Sequence, residues 1–214
     1  MGASKKTELI QKTYELLKTT SPDDLKIRDI AKACDCTPTT VYKHFENLDE
    51  LIRFGCVAFL EEYLEAITKI ANDSMDPLEM LILTWDEFSK CAFKNVDVYL
   101  HLFWGKYDSQ LGDIIFDYYH LFPGRWQNLG GVFTSMFFNS DIMERNHIIV
   151  RRAAAVGYFD YTEIRMISDM QCYLMHGLLM DYRYTYRQPG KAEEGQKRFM
   201  EMLRSQIRHY RIKG

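Results

Sequence analysis

Glycine and proline are scarce in this chain of 214 residues, which contains 12 Gly and 5 Pro. This scarcity excludes folds built from many tight turns and favours long helices. The longest uncharged stretch, residues 126–140, is too short and too rich in amides and hydroxyls to cross a bilayer, so we expect no membrane partner. The net charge is −3, and the first 54 residues carry nine basic and nine acidic side chains. Overall positive charge therefore cannot be what attracts a nucleic acid.

The sequence also lacks a disulfide pattern and a secretory signal. Its five cysteines are odd in number and irregularly spaced, which indicates reduced thiols and a cytoplasmic location. Lys5, Lys6 and Glu8 interrupt any apolar run at the start. Cys34 and Cys36 lie close together, but no second Cys or His pair nearby completes a zinc site. Two small turn residues are the favoured interpretation of this pair, and a thiol switch is the alternative.

Catalytic motifs are absent from the sequence as well. There is no phosphate-binding glycine loop, no HExxH and no nucleophile elbow. The six histidines are scattered, which favours surface or core roles over metal binding. We therefore predict no enzyme activity, no metal and no cofactor.

What the chain does contain is helical periodicity from end to end, with no strand-like alternation. The apolar spacing predicts an all-α fold. An N-terminal three-helix helix-turn-helix head, residues 1–50, is joined by a long helix to a larger C-terminal helical domain, residues 51–214. Asn47 and Glu50 predict a capping box that starts an unbroken helix to about residue 72. Helices are predicted over 5–19, 27–33, 38–45, 77–93, 96–106, 109–121, 125–138, 141–157, 162–187 and 191–211.

Residues 27–45 have the pattern of a helix-turn-helix. Asp35 stands at the turn, where a left-handed backbone is often required and aspartate tolerates it less readily than glycine. Thr37 followed by Pro38 predicts an N-cap with proline in the first helical turn. The exposed side of that second helix is hydroxylated, aromatic and basic, which suits phosphates and base edges better than a core. Its expected core residues are Ile27, Ile30, Ala31, Val41 and Phe45.

These residues resemble the tetracycline-repressor (TetR) family of bacterial transcription regulators. The resemblance lies in Ile27-x-Asp29-Ile30-Ala31, Thr37-x-x-Thr40-Val41-Tyr42-x-His44-Phe45 and Asp49-Glu50-Leu51, and it covers about residues 5–55. It implies that the second helix enters the major groove and that each half of a homodimer binds half of a near-palindromic operator in double-stranded DNA. The DNA-binding residues it implies are Arg28, Thr37, Thr39, Thr40, Tyr42, Lys43 and His44.

The chain departs from the family pattern at two positions. Asp35 occupies a turn position where glycine is common, and Leu48 replaces a lysine that commonly reaches phosphate. We therefore expect phosphate binding to depend on Lys5, Lys6 and Lys43.

An aromatic-rich stretch lies in the middle of the chain, where residues 99–138 hold 12 of the 30 aromatic side chains. A packed aromatic core is one interpretation and an interhelical cavity is the other, because large rings with polar tips pack less completely than aliphatic side chains. In a protein that resembles these regulators, such a cavity would bind a small, largely apolar or aromatic effector. The candidate effector-binding residues are Trp85, Phe88, Phe103, Trp104, Tyr107, Tyr119, Phe122 and Trp126.

The last two predicted helices carry apolar stripes that could pair across a two-fold axis in a four-helix interface. The expected dimer-interface residues are Ile167, Leu174, Leu178, Phe199, Leu203 and Ile207. The alternative is that both stripes are buried within one subunit.

The sequence therefore favours a ligand-responsive DNA-binding regulator, expected to be a repressor that an effector releases from its operator. Two rivals stay open. One is an adaptor of the same fold that acts through a protein partner, and the other is an enzyme built around the aromatic cavity.

Overall fold

The computed structural model describes residues 4–70, 74–106, 110–125 and 131–212. Within these ranges every regular element is helical, which confirms the all-α prediction, and none of the helices is long and apolar enough to span a membrane. Short 3-10 helices occur at Pro123–Arg125 and Tyr161–Glu163. The α-helices are α1 (Lys5–Leu17), α2 (Ile27–Ala33), α3 (Pro38–Tyr42), α4 (Leu48–Val57), α5 (Leu60–Ile70), α6 (Pro77–Lys94), α7 (Val96–Phe103), α8 (Leu111–Leu121), α9 (Gly131–Phe137), α10 (Ile142–Ala155), α11 (Ile164–Tyr182) and α12 (Lys191–Tyr210).

The N-terminal head is formed by α1, α2 and α3 packed against α4. Helices α1 and α4 cross closely at Gly55, where a Cβ atom would lie 2.7 Å from Cγ2 of Thr13. The absence of a side chain at Gly55 is what allows this close crossing. Helix α4 also packs against α7 and α8, so it belongs to the head and to the larger domain at once.

The predicted unbroken helix over 48–72 is wrong, because a turn at Ala58 and Phe59 separates α4 from α5. No glycine or proline marks the break. The amide of Phe59 donates to the carbonyl of Cys56 at 3.0 Å, a three-residue bond typical of a tightened helix end. The rings of Phe59 and of Tyr14 on α1 pack in a T-shaped arrangement, with their centroids 4.8 Å apart. Packing against the head thus accounts for a break that the local sequence does not signal.

The larger domain is built around α6, which packs against α5, α10, α11 and α12. Several helices here are shorter than predicted. Helix α7 ends at Phe103 rather than 106, and α11 ends at Tyr182, after which the chain continues in turns. The start of the helix predicted over 125–138 falls in residues 126–130, outside the described ranges. Helix ends fray and tighten by a few residues, which explains these differences.

Candidate DNA-binding face and interior cavity

The turn between α2 and α3 is a Schellman motif. Asp35 has φ +46°, the left-handed backbone expected at this position. The Cys36 amide donates to the carbonyl of Ala31 at 3.0 Å, and the Asp35 amide donates to the carbonyl of Lys32 at 3.3 Å. These two bonds satisfy carbonyls that the end of a helix leaves unpaired. The aspartate therefore performs the role that glycine fills more easily.

Helix α3 begins with the predicted cap. Oγ1 of Thr37 accepts a hydrogen bond from the Thr40 amide at 3.3 Å, and Pro38 is the first helical residue. Val41 and Phe45 are buried in the head. The rings of Phe45 and of Phe54 on α4 pack in a T-shaped arrangement, with their centroids 5.8 Å apart. This contact fixes the end of α3 against α4. The helix ends at Tyr42, three residues earlier than predicted.

The opposite side of α3 faces solvent. Tyr42 has 54% of its surface exposed, and Thr40 and His44 are half-buried. The exposed side chains are Arg28 on α2 together with Thr37, Thr39, Tyr42 and Lys43. The structure thus brings the seven candidate residues together on one helix-turn-helix. On α3 and at its two ends, four of them expose hydroxyl, phenol or ammonium groups to solvent. We call this surface the docking face.

The two lysines at the start of α1 have contacts within the protein. Nζ of Lys5 donates to the carbonyl of Cys34 at 2.8 Å and pairs with Glu8 at 3.1 Å. Nζ of Lys6 lies 5.2 Å above the Phe45 ring, a cation–π distance. The expectation that both lysines serve phosphates is therefore weakened, and Arg28 and Lys43 become the principal cationic candidates.

The start of α4 confirms half of the predicted capping box. Oδ1 of Asn47 accepts from the Glu50 amide at 2.8 Å. The Glu50 carboxylate, however, accepts from the Glu46 amide at 2.6 Å rather than from Asn47. Leu48 is half-buried against the core, so the position where relatives commonly carry lysine serves packing here.

The geometry of Cys34 and Cys36 favours two small residues of the turn over a thiol switch. Cys34 is buried, Cys36 is half-buried, and both are free thiols. Burial raises the pKa of the Cys34 thiol to about 11. A thiol with so high a pKa is protonated at neutral pH and reacts slowly with oxidants.

Three of the predicted effector-binding residues, Trp85, Phe88 and Phe103, line one cavity between α5, α6, α7, α9 and α10. The volume of this cavity is ≈ 40 Å³, which has room for only a few water molecules. Drug-sized ligands need about 300 Å³ or more, so binding one would require the surrounding helices to separate. Tyr63 and Phe137 add further aromatic wall.

A polar network lies at one side of this cavity. The indole N–H of Trp85 donates to Oδ1 of Asn146 at 3.0 Å and to Oε1 of Gln171 at 3.1 Å. The Asn146 amide donates to Gln171 at 2.9 Å and to the Ser168 carbonyl at 3.1 Å. The network joins α6, α10 and α11, so the cavity wall is linked to α11 by hydrogen bonds. Sequence reasoning missed Asn146 and Gln171, because a single amide in a helical stripe gives no signal of its partner.

Arg145, which is not among the candidate effector-binding residues, is the charged side chain that lines the cavity. Its side chain has 5% of its surface exposed. Nε donates to the carbonyl of Asn139 at 2.6 Å, and the guanidinium lies 5.4 Å from the Phe103 ring. Burial lowers the pKa of Arg145 to about 10, which still leaves the side chain charged at neutral pH.

The other candidate effector residues lie elsewhere. Trp104 stacks on His176 at 5.0 Å in a separate cleft near the head. Tyr119 contacts Phe137 at 6.0 Å from outside the cavity, and Phe122 lies against Arg125. The predicted cluster is therefore divided by the structure, while Tyr107 and Trp126 lie outside the described residues.

The predicted dimer-interface residues need correction. Five of them are buried within the single chain and have no surface left for a partner, and Leu174 is half-buried. The five are Ile167, Leu178, Phe199, Leu203 and Ile207. Their burial is what the alternative predicts, in which these stripes pack within one subunit.

A different face of α11 is apolar and exposed. Its side chains recur every three or four residues, which places them on one side of the helix. Met202 on α12 is exposed as well. We call this surface the α11 stripe, and its members are Met166, Met170, Tyr173, Gly177, Met180 and, just beyond the helix, Tyr184.

Comparison with known proteins agrees with this geometry. Residues 9–53 match the family model described as bacterial regulatory proteins, tetR family. No curated protein sequence matches the chain. A TetR transcription regulator from Haloarcula marismortui is 16% identical over 97% of this chain and 98% of its own, with a TM-score of 0.61.

Two further solved structures are similar. BioQ, solved with its natural double-stranded DNA operator, is 16% identical over 94% of this chain and 98% of its own, with a TM-score of 0.50. The ketosteroid transcriptional regulator KstR2 of Mycobacterium tuberculosis is 14% identical over 100% of this chain and 98% of its own, with a TM-score of 0.53. At these identities the likeness is one of fold. The head, residues 9–53, matches the tetR-family model, and the chain as a whole shares the fold of these solved TetR-type regulators.

Proposed function

We propose that this protein is a repressor that binds a near-palindromic DNA operator as a homodimer and is released from it by a small-molecule effector. One observation carries the proposal. Helix α3 buries Val41 in the head and, with Phe45 just beyond it, leaves Thr37, Thr39 and Lys43 exposed. A short helix that is fixed from behind and polar in front suits insertion into a major groove.

The docking face divides into two kinds of contact. Lys43 ends in an ammonium group, which binds phosphate regardless of sequence. Thr39 lies in the first turn of α3, where recognition helices contact base edges. Replacing one or the other should therefore affect affinity and specificity separately.

We expect Lys43→Ala to weaken binding to every duplex and to lower the salt slope by about one per lost phosphate contact, hence about two for a dimer. Thr39→Ala should instead change the preferred sequence while the salt slope stays the same. Operators are selected from random duplexes by the wild-type protein, and binding is then measured by fluorescence anisotropy at several salt concentrations.

Lys197→Ala is the control, because Lys197 is exposed on α12, far along the chain from the head. Its salt slope should equal that of the wild-type protein. Failure of the wild-type protein to select any duplex at low salt would contradict the proposal. Specific capture of a protein partner in its place would favour the adaptor alternative.

The homodimer is proposed on the α11 stripe rather than on the residues first expected. Contiguous exposed apolar side chains on a helix are typical of protein interfaces. Paired across a two-fold axis, α11 and α12 of two subunits would form a four-helix bundle. Methionine adapts its shape to such contacts.

Met170→Glu should therefore convert the dimer to a monomer, because a two-fold axis brings two new carboxylates into one apolar interface. Sedimentation velocity measures the change directly. Phe116→Glu is the matched control, since Phe116 is an exposed apolar side chain on α8. A Met170→Glu protein that stays dimeric would place the interface elsewhere.

The effector is proposed to act from the cavity through α11 to the head. Near the end of α11, Arg183 donates to Asp23 of the head at 2.5 Å and to Asp97 of α7 at 3.3 Å. Arg187 donates to the carbonyl of Thr19 at 2.8 Å. A ligand that separated the helices around the cavity would move α11 and hence the head. Differential affinity of about 1–3 kcal/mol between the two arrangements would be enough for regulation.

A further inference from the structure

We propose that the effector of this protein carries an anionic group, in the simplest case a carboxylate, and that Arg145 binds it inside the aromatic cavity. The inference rests on the proposed regulatory function, since it names the chemical class of the effector. Four observations on Arg145 support it, and each concerns a different property of the site.

The first observation is burial without an ion pair. Arg145 is 95% removed from solvent, with 5% of its surface exposed. Among the described residues it forms no salt bridge, although the charge of Asp141, the N-cap of α10, acts on it from a distance. Asp141 caps the helix through the Met143 amide at 2.8 Å, and Glu144 pairs with Arg165 at 2.8 Å.

A buried charge of this kind is costly unless something compensates for it. The compensation present is partial. One carbonyl, that of Asn139, accepts from Nε, and two aromatic rings lie within cation–π distance, Phe103 at 5.4 Å and Phe137 at 5.8 Å.

The second observation is an unused donor. Nη2 of Arg145 is buried and has no hydrogen-bond partner in the described part of the chain. Buried polar groups are almost always paired, so an unpaired guanidinium nitrogen indicates a missing acceptor. A carboxylate oxygen suits this donor, because hydrogen bonds between guanidinium and carboxylate groups are charge-assisted and strong.

The third observation is position. Arg145 lines the same cavity as Trp85, Phe88 and Phe103, so its charge is presented to an apolar, aromatic space. The fourth is that Asn146, the next residue, holds the network that links the cavity to α11. An anion drawn to Arg145 would therefore bind beside the elements that lead to the head. The complementary ligand has an apolar body and one anionic end.

The experiment compares carboxylates with neutral molecules of the same shape. Octanoate is paired with octan-1-ol, and benzoate with benzyl alcohol, and each is titrated calorimetrically into the full-length protein. The wild-type protein should bind a carboxylate about tenfold or more tightly than its alcohol. Arg145→Met, which keeps the volume and removes the charge, should abolish this preference.

Two further variants keep the result interpretable. Arg151→Met removes an exposed arginine from the same helix and should preserve the preference. Arg145→Lys keeps the charge without the planar fork and should retain part of it. This variant also decides the matter if Arg145→Met does not fold, which circular dichroism would show.

The proposal is overturned if the wild-type protein prefers no carboxylate to its alcohol, or if the preference persists in Arg145→Met. A purely structural role for Arg145 would leave the preference of the folded variants unchanged. DNA binding is measured on the same samples without ligand. Operator binding without carboxylate binding would defeat only this inference, whereas Arg145-dependent carboxylate binding without DNA binding would defeat only the proposed function.

Discussion

Phe45→Ala is expected to destabilise the head by about 3–5 kcal/mol, the usual range for removing a buried phenylalanine ring, and so to abolish DNA binding. The ring is 2% exposed and lies between the end of α3 and Phe54 of α4, with the ammonium group of Lys6 above it. Its removal leaves a cavity at the contact that fixes α3. Urea unfolding followed by circular dichroism measures the stability loss, and anisotropy measures DNA binding.

Tyr42→Ala is the matched control for this change. It also removes an aromatic ring from the same segment, but that ring is 54% exposed. Its stability should change by less than about 0.5 kcal/mol, because surface substitutions remove little packing. DNA affinity should nevertheless fall by about tenfold, since a phenol on the docking face is lost. If Tyr42→Ala unfolded the head, or Phe45→Ala left it stable, the orientation of α3 would be the reverse of the one described.

The head was predictable from its sequence because its signals are local. A hydroxyl residue followed by proline predicts the start of α3, and Oγ1 of Thr37 accepts the expected hydrogen bond from the Thr40 amide. Asp35 indicates the turn, and its backbone is left-handed as predicted. Each of these features depends on residues within about five positions of one another. Local chemistry is sufficient in such a segment.

The larger domain was less predictable because its decisive contacts are distant in sequence. The break between α4 and α5 has no local signal and accompanies the packing of Phe59 on Tyr14. Likewise, Trp85 finds its partner Gln171 86 residues away, and nothing in the spacing of either residue indicates the other. Aromatic density indicated that a cavity was plausible but could not say which rings would line it.

The dimer interface shows the same limit in another form. Helix α11 is apolar on two sides, with Ile167 and Leu178 facing inward and Met170 and Tyr173 facing outward. A hydrophobic stripe on a helix shows that something covers it, but not whether the cover is the same chain or a second one. Most of the residues expected at the interface belong to the inward stripes, which the folded chain buries, and the methionines of α11 lie outside.

The cavity and the docking face are connected by contacts rather than by one rigid rod. The sequence suggested a continuous helix from the head into the larger domain, which would transmit any movement directly. The structure replaces it with α4, which packs on both parts, and with α11, whose end reaches the head through Arg183 and Arg187. The Asp97 carboxylate that accepts from Arg183 also accepts from the Tyr186 hydroxyl at 3.1 Å. Asp97 therefore keeps a hydrogen-bond donor if Arg183 moves away, so the two donors can exchange at this site. Such an exchange could give the two discrete arrangements that regulation requires.

The second large effect is expected at the cavity itself. Trp85→Ala should lower the free energy of unfolding by about 3–5 kcal/mol, because it removes a large buried ring. The indole of Trp85 is 4% exposed, contacts Phe199 at 5.2 Å, and donates to Asn146 and Gln171. Its loss leaves Oδ1 of Asn146 without its donor and enlarges the apolar space, while Oε1 of Gln171 keeps its hydrogen bond from the Asn146 amide.

Free indole should then restore much of that stability. An engineered apolar cavity binds small aromatic molecules, and a ligand that binds only the folded state stabilises it in proportion to the logarithm of its concentration. Indole should rescue more than naphthalene, which fills the space but has no N–H for Asn146 and Gln171. Melting temperature at increasing ligand concentration is the measurement.

Trp104→Ala distinguishes cavity binding from a general effect of indole. Trp104 is half-buried and stacks on His176 in a different cleft, so its removal should enlarge that cleft and not the interior cavity. We expect a smaller stability loss and little rescue by indole in this variant, and none in the wild-type protein. Equal rescue of both variants would mean that indole binds elsewhere. Rescue confined to Trp85→Ala would show that a small aromatic molecule can reach the space between α5, α6, α7, α9 and α10, as the proposed effector must.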